Sequence, residues 1–185
     1  RKIEKKYNIT RRHIVVKKQN LKAIFIDCDG VLSTGSFFYD SAGKAFKEFN
    51  SMDGKGFKKA RDNNVLILVI TEEPDKRGFE ITKKRCEDQN IELIKAKNAH
   101  DKLIIATSFC KKNNIELKDT AFIADDIGDW ELFTKVGFPI AVNNAHETLV
   151  EYSKNNRGYV TRRFGGRGAV REGIEWVIEK IIICK

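Results

Sequence analysis

Five carboxylates lie in two short clusters, each directly after an apolar run of residues. They are Asp27, Asp29, Asp125, Asp126 and Asp129. Two unit charges 4 Å apart repel by about 4 kcal/mol at an effective dielectric of 20, so carboxylates that meet need a compensating cation. Oxygen ligands are those that Mg²⁺ prefers, with water and substrate phosphate completing its coordination. The two clusters therefore predict a Mg²⁺ site.

The elements that precede these clusters predict where the carboxylates lie. The runs 21–26 and 120–124 are rich in apolar and β-branched residues, which is typical of buried parallel strands. Ligands of open α/β sheets bind outside the carboxyl ends of such strands. Asp129 could also begin the following helix, so helix capping is an alternative role for it.

Two further side chains could serve the same edge of the sheet. Thr71 follows the apolar run 65–70, and Lys102 lies near the start of a predicted helix. An ammonium would help to offset the negative charge there, and Thr71 adds a hydroxyl. A lysine at a helix start is more often solvated, so Lys102 is significant only together with the other residues.

Predicted strands and helices alternate after residue 20. The strands are 22–27, 65–70, 91–95, 120–124 and 138–142, and the helices are 54–63, 76–89, 100–113, 129–136, 145–153 and 168–182. This alternation indicates an α/β fold with a parallel sheet covered by helices on both faces.

A predicted β-hairpin at about 36–49 interrupts this alternation directly after the first strand. It carries five aromatic residues, which are Phe37, Phe38, Tyr39, Phe46 and Phe49. A two-stranded ribbon is marginally stable alone, so these rings need burial against the sheet or a neighbouring subunit. We favour the neighbouring subunit.

Composition limits the class of protein. The 185 residues fit one soluble globular domain, and no apolar run is long enough to span a bilayer. The net charge of +9 is concentrated in residues 1–20, which hold eight lysines and arginines and one acid. We predict a basic leading segment or linker at 1–20, a single domain at 21–185 and no membrane partner.

The basic segment could bind a polyanion, but the remainder of the chain is almost balanced in charge, so we expect no nucleic-acid partner. The four cysteines show no metal-finger spacing. Reduced thiols in a cytoplasmic protein are therefore expected.

The candidate functional residues follow the order Asp-x-Asp, Thr, Lys, Asp-Asp-x-x-Asp across residues 27–129. Each member stands at a predicted strand end or helix start. This ordered set resembles the haloacid dehalogenase superfamily of aspartate-nucleophile phosphatases.

A closer resemblance covers most of residues 21–180. The segments 27–35, 52–56 and 165–172, together with the hairpin, are similar to the family of 3-deoxy-D-manno-octulosonate 8-phosphate phosphatases. That family includes relatives that act on nonulosonate (N-acylneuraminate or KDN) 9-phosphates. The resemblance implies a capless, Rossmann-like haloacid dehalogenase fold with the inserted hairpin. It also implies a homotetramer in which the hairpins form a shared barrel and a neighbouring subunit helps to close the active site.

Catalytic roles follow from this resemblance. It implies that Asp27 attacks phosphorus and carries an aspartyl-phosphate intermediate. Asp29 would protonate the leaving sugar oxygen and then activate water. Thr71 and Lys102 would bind the phosphate oxygens. The expected substrate is a small sugar phosphate.

The resemblance also implies a Mg²⁺ ligand set. The side chains of Asp27 and Asp125 and the backbone carbonyl of Asp29 would hold the ion. Asp126 would bind it directly or through water. Asp129 would orient these ligands or pair with the lysine.

Two departures from the family's pattern affect these expectations. Ala124 stands where the family usually has a glycine, and the two aspartates that follow it are retained. After Thr71 the octulosonate enzymes continue with Gly-Arg, whereas this chain has Glu72 and Glu73. An arginine suits a sugar carboxylate, and a glutamate suits an amine, a hydroxyl or a paired cation. Because an acid at Glu73 resembles the nonulosonate branch, we favour a nonulosonate 9-phosphate over octulosonate 8-phosphate.

The glycine-rich segment 164–172 could imitate a dinucleotide fingerprint, but no βα unit follows it, so we reject that function. A flexible turn that presents Arg167 to an anion is the interpretation we keep.

Two alternative functions come from other classes. A phosphatase-like domain could tetramerise a sialic acid cytidylyltransferase to which it is fused, since the chain starts at Arg1 and a basic segment suits a linker. Both Asp27 and Asp29 are present, however, and a domain without catalytic activity would need neither. A nucleic-acid end-processing phosphatase would require the basic segment to bind its substrate.

Overall fold

A computed structural model describes residues 20–183, with side chains to residue 180. The predicted basic segment 1–20 lies outside the described residues except for Asn20. In chain order the elements are β1 (Ala23–Asp27), β2 (Ser33–Asp40), β3 (Gly43–Phe49), α1 (Asp53–Asp62), β4 (Leu66–Thr71), α2 (Lys76–Asp88), β5 (Glu92–Lys95), α3 (Ala99–Lys112), β6 (Thr120–Ala124), α4 (Trp130–Phe133), β7 (Phe138–Ala141), α5 (Glu147–Asn155), β8 (Tyr159–Val160) and α6 (Ala169–Ile183).

The main sheet contains six strands in the order β5-β4-β1-β6-β7-β8, and every neighbouring pair is parallel. The chain builds one side of the sheet as far as β5 and then returns to place β6 beside β1. The predicted α/β class is confirmed. Within residues 20–183, no helix combines the length and the apolar character needed to cross a bilayer.

Helices cover both faces because alternate residues of each strand point to opposite sides. From β1, Ile24 and Ile26 enter one core, and Ala23 and Phe25 enter the other. The first core receives side chains from α1, α2 and α6, and the second from α3, α4 and α5.

The hairpin begins at Ser33, three residues earlier than predicted, and α5 lies two residues later than predicted. The differences with a clear physical reason are at β8 and α4. β8 was not predicted, because a two-residue strand is too short to show a periodic pattern. α4 ends at Phe133 instead of residue 136. The backbone N–H of Gly137 donates to the carbonyls of Leu117 and Thr120, which turns the chain into β7 before the helix can continue.

β2 and β3 form a separate antiparallel ribbon, which confirms the predicted hairpin insertion. Arg77 of α2 forms an ion pair with Asp40 near the hairpin turn. Phe38, Tyr39 and Phe46 are each about two-thirds exposed, so the described chain does not bury these rings. The ribbon therefore presents an apolar surface.

Asp53 connects the first turn of α1 to the start of α6. Its Oδ1 accepts a hydrogen bond from the backbone N–H of Arg171 at 3.0 Å, and Oδ2 has no partner among the described residues. Burial raises the pKa of Asp53 to about 6. An ionised Asp53 therefore costs folding free energy.

We expect Asp53→Asn to reduce the loss of stability between acidic and neutral pH. Between about pH 4 and pH 6 the folded state holds a proton that the unfolded carboxyl has released, so the free energy of unfolding falls as pH rises. A shift of this size corresponds to about 3 kcal/mol, and asparagine keeps the Oδ1 acceptor without the charge. Urea unfolding at both ends of that range measures the difference.

Asp62→Asn is the matched control, because Asp62 lies on the same helix in an exposed ion pair with Lys58. Equal pH dependence in the wild type and Asp53→Asn would contradict the expected ionisation cost.

Candidate active site

Three neighbouring strands end at one edge of the sheet, and each places a polar side chain there. β1 ends at Asp27, β4 ends at Thr71, and Asp125 directly follows β6. Because β1 pairs in parallel with both β4 and β6, the three carboxyl ends lie side by side. This edge is where ligands bind in open α/β sheets.

Lys102 joins two carboxylates across this edge. Its Nζ donates to Asp27 Oδ1 and to Asp129 Oδ1, both at 2.7 Å, and Glu72 Oε1 lies 3.4 Å away. The lysine stands in the first turn of α3, which the side chain of Asn98 caps. Lys102 is only 5% exposed, so these ion pairs are shielded from solvent.

The same edge offers oxygen ligands for a divalent cation. Carboxylate oxygens of Asp27, Asp125 and Asp129 all lie within 4.8 Å of one another. Gly30 makes room for this arrangement, because a Cβ at that position would collide with the Asp125 carboxylate. A set of donors made only of oxygen fits Mg²⁺. The residues present therefore fit the predicted ion.

Asp126 lines the same cavity but is not one of the three carboxylates that lie within 4.8 Å of one another. It is exposed, and its Oδ1 accepts from Ile127 N at 2.8 Å, which caps a short 3₁₀ turn at Ile127–Asp129. Its place at the rim suits contact with an ion through water. Asp129 instead is buried beside Asp27 and makes the predicted pair with Lys102.

Burial is the main cause that raises the pKa of the carboxyls in this cluster, and neighbouring charges add to it for Asp27 and Asp125. Burial, together with the charges of Asp129 and Asp126, raises the pKa of Asp125 to about 7. Burial and the charge of Asp129 raise the pKa of Asp27. Burial alone would lower the pKa of Lys102, but the charges of Asp27 and Asp129 outweigh it and raise that pKa. One lysine cannot neutralise three carboxylates, and a divalent cation would supply the missing charge.

Asp29 has different partners, which come from the hairpin and its base. Lys47 Nζ, on β3, donates to the two Asp29 carboxylate oxygens at 2.9 and 3.0 Å. Ser33 Oγ donates to Oδ1 at 2.9 Å. Asp29 lines the same cavity as Asp27, so the structure brings the two predicted catalytic carboxylates together.

Glu73 is paired with two lysines of the hairpin. Lys44 Nζ donates to its carboxylate oxygens at 2.8 and 2.6 Å, and Lys47 Nζ lies 2.7 Å from Oε2. Burial alone would raise the pKa of Glu73, but the hydrogen bonds from the two lysines lower it overall. Lys44 Nζ also lies 3.7 Å from the centre of the Phe37 ring. A glutamate at this position could meet an amine, a hydroxyl or a paired cation. In the structure Glu73 is paired with the cations of Lys44 and Lys47.

A cavity of about 340 Å³ connects these groups. Thr71, Lys44 and Lys102 line it together with all five carboxylates of the two clusters, and Phe37, Glu72, Glu73, Pro74 and Gly128 complete the wall. Acids outnumber lysines among the lining residues, so their side chains give the cavity a negative potential that a cation would reduce.

Arg167 is not among the residues that line this cavity. Its Nη2 donates to Glu48 Oε2 of the hairpin at 2.9 Å. The glycines before it pack against the loop after β1, and a Cβ on Gly165 would collide with the Gly30 carbonyl. The glycine-rich segment therefore supports that loop and directs Arg167 to the hairpin.

Lys44 and Lys47 were not predicted as site residues. Three positions apart, they would point to opposite faces of a regular strand. The pairing of β2 with β3 shifts register between Phe38 and Tyr39, which leaves Ala45 as an extra residue on β3. Both lysines can therefore turn inward. The sequence feature that could have indicated their role in the site was the presence of two lysines in a hairpin otherwise rich in aromatic residues.

Comparisons with known proteins agree with this geometry. A family model described as haloacid dehalogenase-like hydrolase matches residues 5–161. The 3-deoxy-D-manno-octulosonate 8-phosphate phosphatase KdsC of Salmonella typhi is 33% identical over 166 residues, which cover 90% of this chain and 84% of the relative.

Solved structures show the same similarity. The 3-deoxy-D-manno-octulosonate 8-phosphate phosphatase of Yersinia pestis superposes with a TM-score of 0.76 at 28% identity, covering 90% of this chain and 83% of that one. The Moraxella catarrhalis enzyme, in complex with magnesium, phosphate and KDO, gives 0.75 at 31% identity, with 91% and 89% covered. The chain therefore belongs to the haloacid dehalogenase-like hydrolases, in the phosphatase family of these relatives.

Proposed function

We propose that this phosphatase releases the terminal phosphate of an acidic 3-deoxy-2-keto sugar, with Asp27 as its nucleophile. The observation that carries the proposal is the placement of Asp27. It ends the central strand, is held by Lys102 at 2.7 Å, and faces a cavity with Asp29 in its wall.

In the first step, the Asp27 carboxylate attacks phosphorus and the bond between phosphorus and the sugar oxygen breaks. Lys102 holds Oδ1, so we assign the attack to the other oxygen, Oδ2. Asp29 gives its proton to the leaving sugar oxygen. Lys102 and the Thr71 hydroxyl bind phosphate oxygens as charge develops on them.

In the second step, water attacks the aspartyl-phosphate and gives a proton to Asp29, which releases phosphate and restores the Asp27 carboxylate. Phosphate monoester hydrolysis is among the slowest uncatalysed reactions, so fixed charges and positioning must contribute strongly. Mg²⁺, held by Asp27, Asp125 and the Asp29 carbonyl, would neutralise phosphate charge when bound.

The relatives named above support 3-deoxy-D-manno-octulosonate 8-phosphate as the substrate. Glu72 and Glu73 support a nonulosonate 9-phosphate as the second candidate, because no arginine follows Thr71 to meet a sugar carboxylate. In this chain Glu73 is already neutralised by Lys44 and Lys47. Glu72 lies 3.4 Å from Lys102 but is more than one-third exposed at its side chain, so it is the acid here that can also reach a substrate hydroxyl or amine.

We also propose that four copies assemble through the hairpins. Phe38 and Phe46 face each other across the ribbon and remain about two-thirds exposed, which is costly in water for rings of this size. A second copy could cover them. Tetramerisation of a fused cytidylyltransferase is compatible with this surface, but it does not account for the buried pair of Asp27 and Lys102.

Purified protein with Mg²⁺ should release phosphate from octulosonate 8-phosphate or a nonulosonate 9-phosphate far faster than from unrelated sugar phosphates. Asp27→Asn should abolish release from every substrate, because an amide cannot act as the nucleophile. Phosphate release and circular dichroism measure activity and folding.

Asp62→Asn serves as the control, since it changes an exposed aspartate to the same amide. Turnover by Asp27→Asn close to that of the wild type would show that another residue attacks phosphorus.

Asp125→Asn should raise the Mg²⁺ concentration needed for half-maximal activity. The expected change is about tenfold or more, since even indirect partners of metal ligands contribute that much. Chelation should abolish wild-type activity and added Mg²⁺ should restore it. Titration of activity with Mg²⁺ provides the measurement, and an unchanged midpoint would remove Asp125 from the ligand set.

Replacing Phe38 and Phe46 together by serine should convert a tetramer into smaller species, because the apolar surface of the ribbon would be lost. Light scattering coupled to size exclusion gives the mass. The control is Phe164→Ser, which removes an exposed phenylalanine outside the hairpin. A wild-type protein that is monomeric at all concentrations would refute assembly.

A further inference from the structure

We propose that Lys47 is a positioning residue that fixes the orientation of the Asp29 carboxylate, and that Glu73 and Lys44 hold Lys47 in place. The inference rests on the proposed phosphatase function, since it concerns the residue to which we assign proton transfer.

The contacts of Lys47 leave its ammonium no free donor. Its side chain is fully buried, and Nζ lies within hydrogen-bond distance of Asp29, Glu73 and the hydroxyl of Thr82. A lysine has three N–H donors, and these partners occupy them. Lys47 is therefore placed to act on Asp29 and not on a substrate.

The neighbouring charges alternate in sign. Lys44, Glu73, Lys47 and Asp29 form a continuous row of ion pairs in which each member contacts the next. With Asp29 ionised, as it is once it has given its proton to the leaving group, the row has no net charge, which allows its burial. Removing Lys47 would take the ion-pair partner from Asp29, and removing Glu73 would take it from Lys44, so the two inner members hold the row in one arrangement.

This row, together with Thr82, which contacts Lys47, connects three parts of the fold to the loop after β1. Lys44 and Lys47 come from β3, Glu73 follows β4, and Thr82 lies on α2. Asp29 itself is about one-quarter exposed at its side chain and could otherwise rotate. Small displacements of a reacting group can cost large factors in rate, so fixing this carboxylate is significant for proton transfer.

In this arrangement Glu73 acts through Lys47 and not by contact with the sugar. The two roles differ in their kinetic consequences. Loss of a sugar contact raises KM, whereas loss of a positioned proton donor lowers kcat.

The leaving group distinguishes positioning from general structural damage. A sugar alkoxide is strongly basic and needs a proton from Asp29 as it departs. A 4-nitrophenolate is weakly basic and departs with little need of that proton. A misplaced Asp29 should therefore slow hydrolysis of the sugar phosphate more than hydrolysis of 4-nitrophenyl phosphate.

The test uses whichever of the two candidate sugar phosphates the wild type hydrolyses faster. It compares kcat/KM for that sugar phosphate with kcat/KM for 4-nitrophenyl phosphate, in the same preparation of each variant. In Lys47→Met this ratio should fall by about tenfold to a hundredfold, a part of the usual contribution of general acid–base catalysis. The change should lie mainly in kcat for the sugar. The ratio does not depend on the fraction of folded protein.

Further variants sharpen the comparison. Lys47→Arg should recover part of the ratio, because a guanidinium can also contact both Asp29 oxygens. Glu73→Gln should lower the ratio without raising KM for the sugar. Lys58→Met, which makes the same change in an exposed ion pair, should leave the ratio unchanged.

Equal losses with both substrates in Lys47→Met would overturn the inference, as would a raised KM alone in Glu73→Gln. If Lys47→Met does not fold, Thr82→Val removes one acceptor of Lys47 and keeps the charges; an unchanged ratio in that variant also overturns it. A wild-type protein that hydrolyses neither substrate would instead refute the proposed function.

Discussion

Repulsion among buried carboxylates is the constraint on which the site depends. Asp27, Asp125 and Asp129 approach within 4.8 Å, and Lys102 supplies the only positive side chain that contacts this cluster among the described residues. Burial, together with neighbouring negative charges, raises the pKa values of Asp27 and Asp125, so a cation here would reduce the cost of keeping these carboxyls ionised. The parallel order of β4, β1 and β6 imposes this proximity, so the architecture itself creates the demand for Mg²⁺.

Two different parts of the fold supply the charges around the cavity. The sheet edge provides Asp27, the proposed nucleophile, and the cluster suited to a cation, and the hairpin provides the lysines that contact Asp29 and Glu73. The hairpin therefore has two surfaces with different properties. Its lysines turn inward, while Phe38 and Phe46 face outward. Because a two-stranded ribbon is marginal alone, covering its outer face would also steady the lysines on its inner face.

Much of the site was predictable because its residues stand at strand ends. Asp27, Thr71 and Asp125 follow apolar runs, and Lys102 opens a helix with a recognisable cap, so local pattern was sufficient to place them. Arg167 was predicted to meet an anion of the substrate, but the turn before it packs on the loop after β1 and directs its guanidinium to the Glu48 carboxylate. Its direction depends on a contact between segments more than a hundred residues apart.

The sequence by itself determined the α/β class, the family and the order of the chemical residues, because buried strands and their terminal carboxylates leave a strong local pattern. Tertiary structure alone decided which acids converge. It set the Asp129 carboxylate in the cluster with Asp27 and left the Asp126 carboxylate outside it, where it caps the 3₁₀ turn after β6. It also turned Lys44 and Lys47 inward through the register shift in the hairpin, and strand register is set by pairing between distant residues.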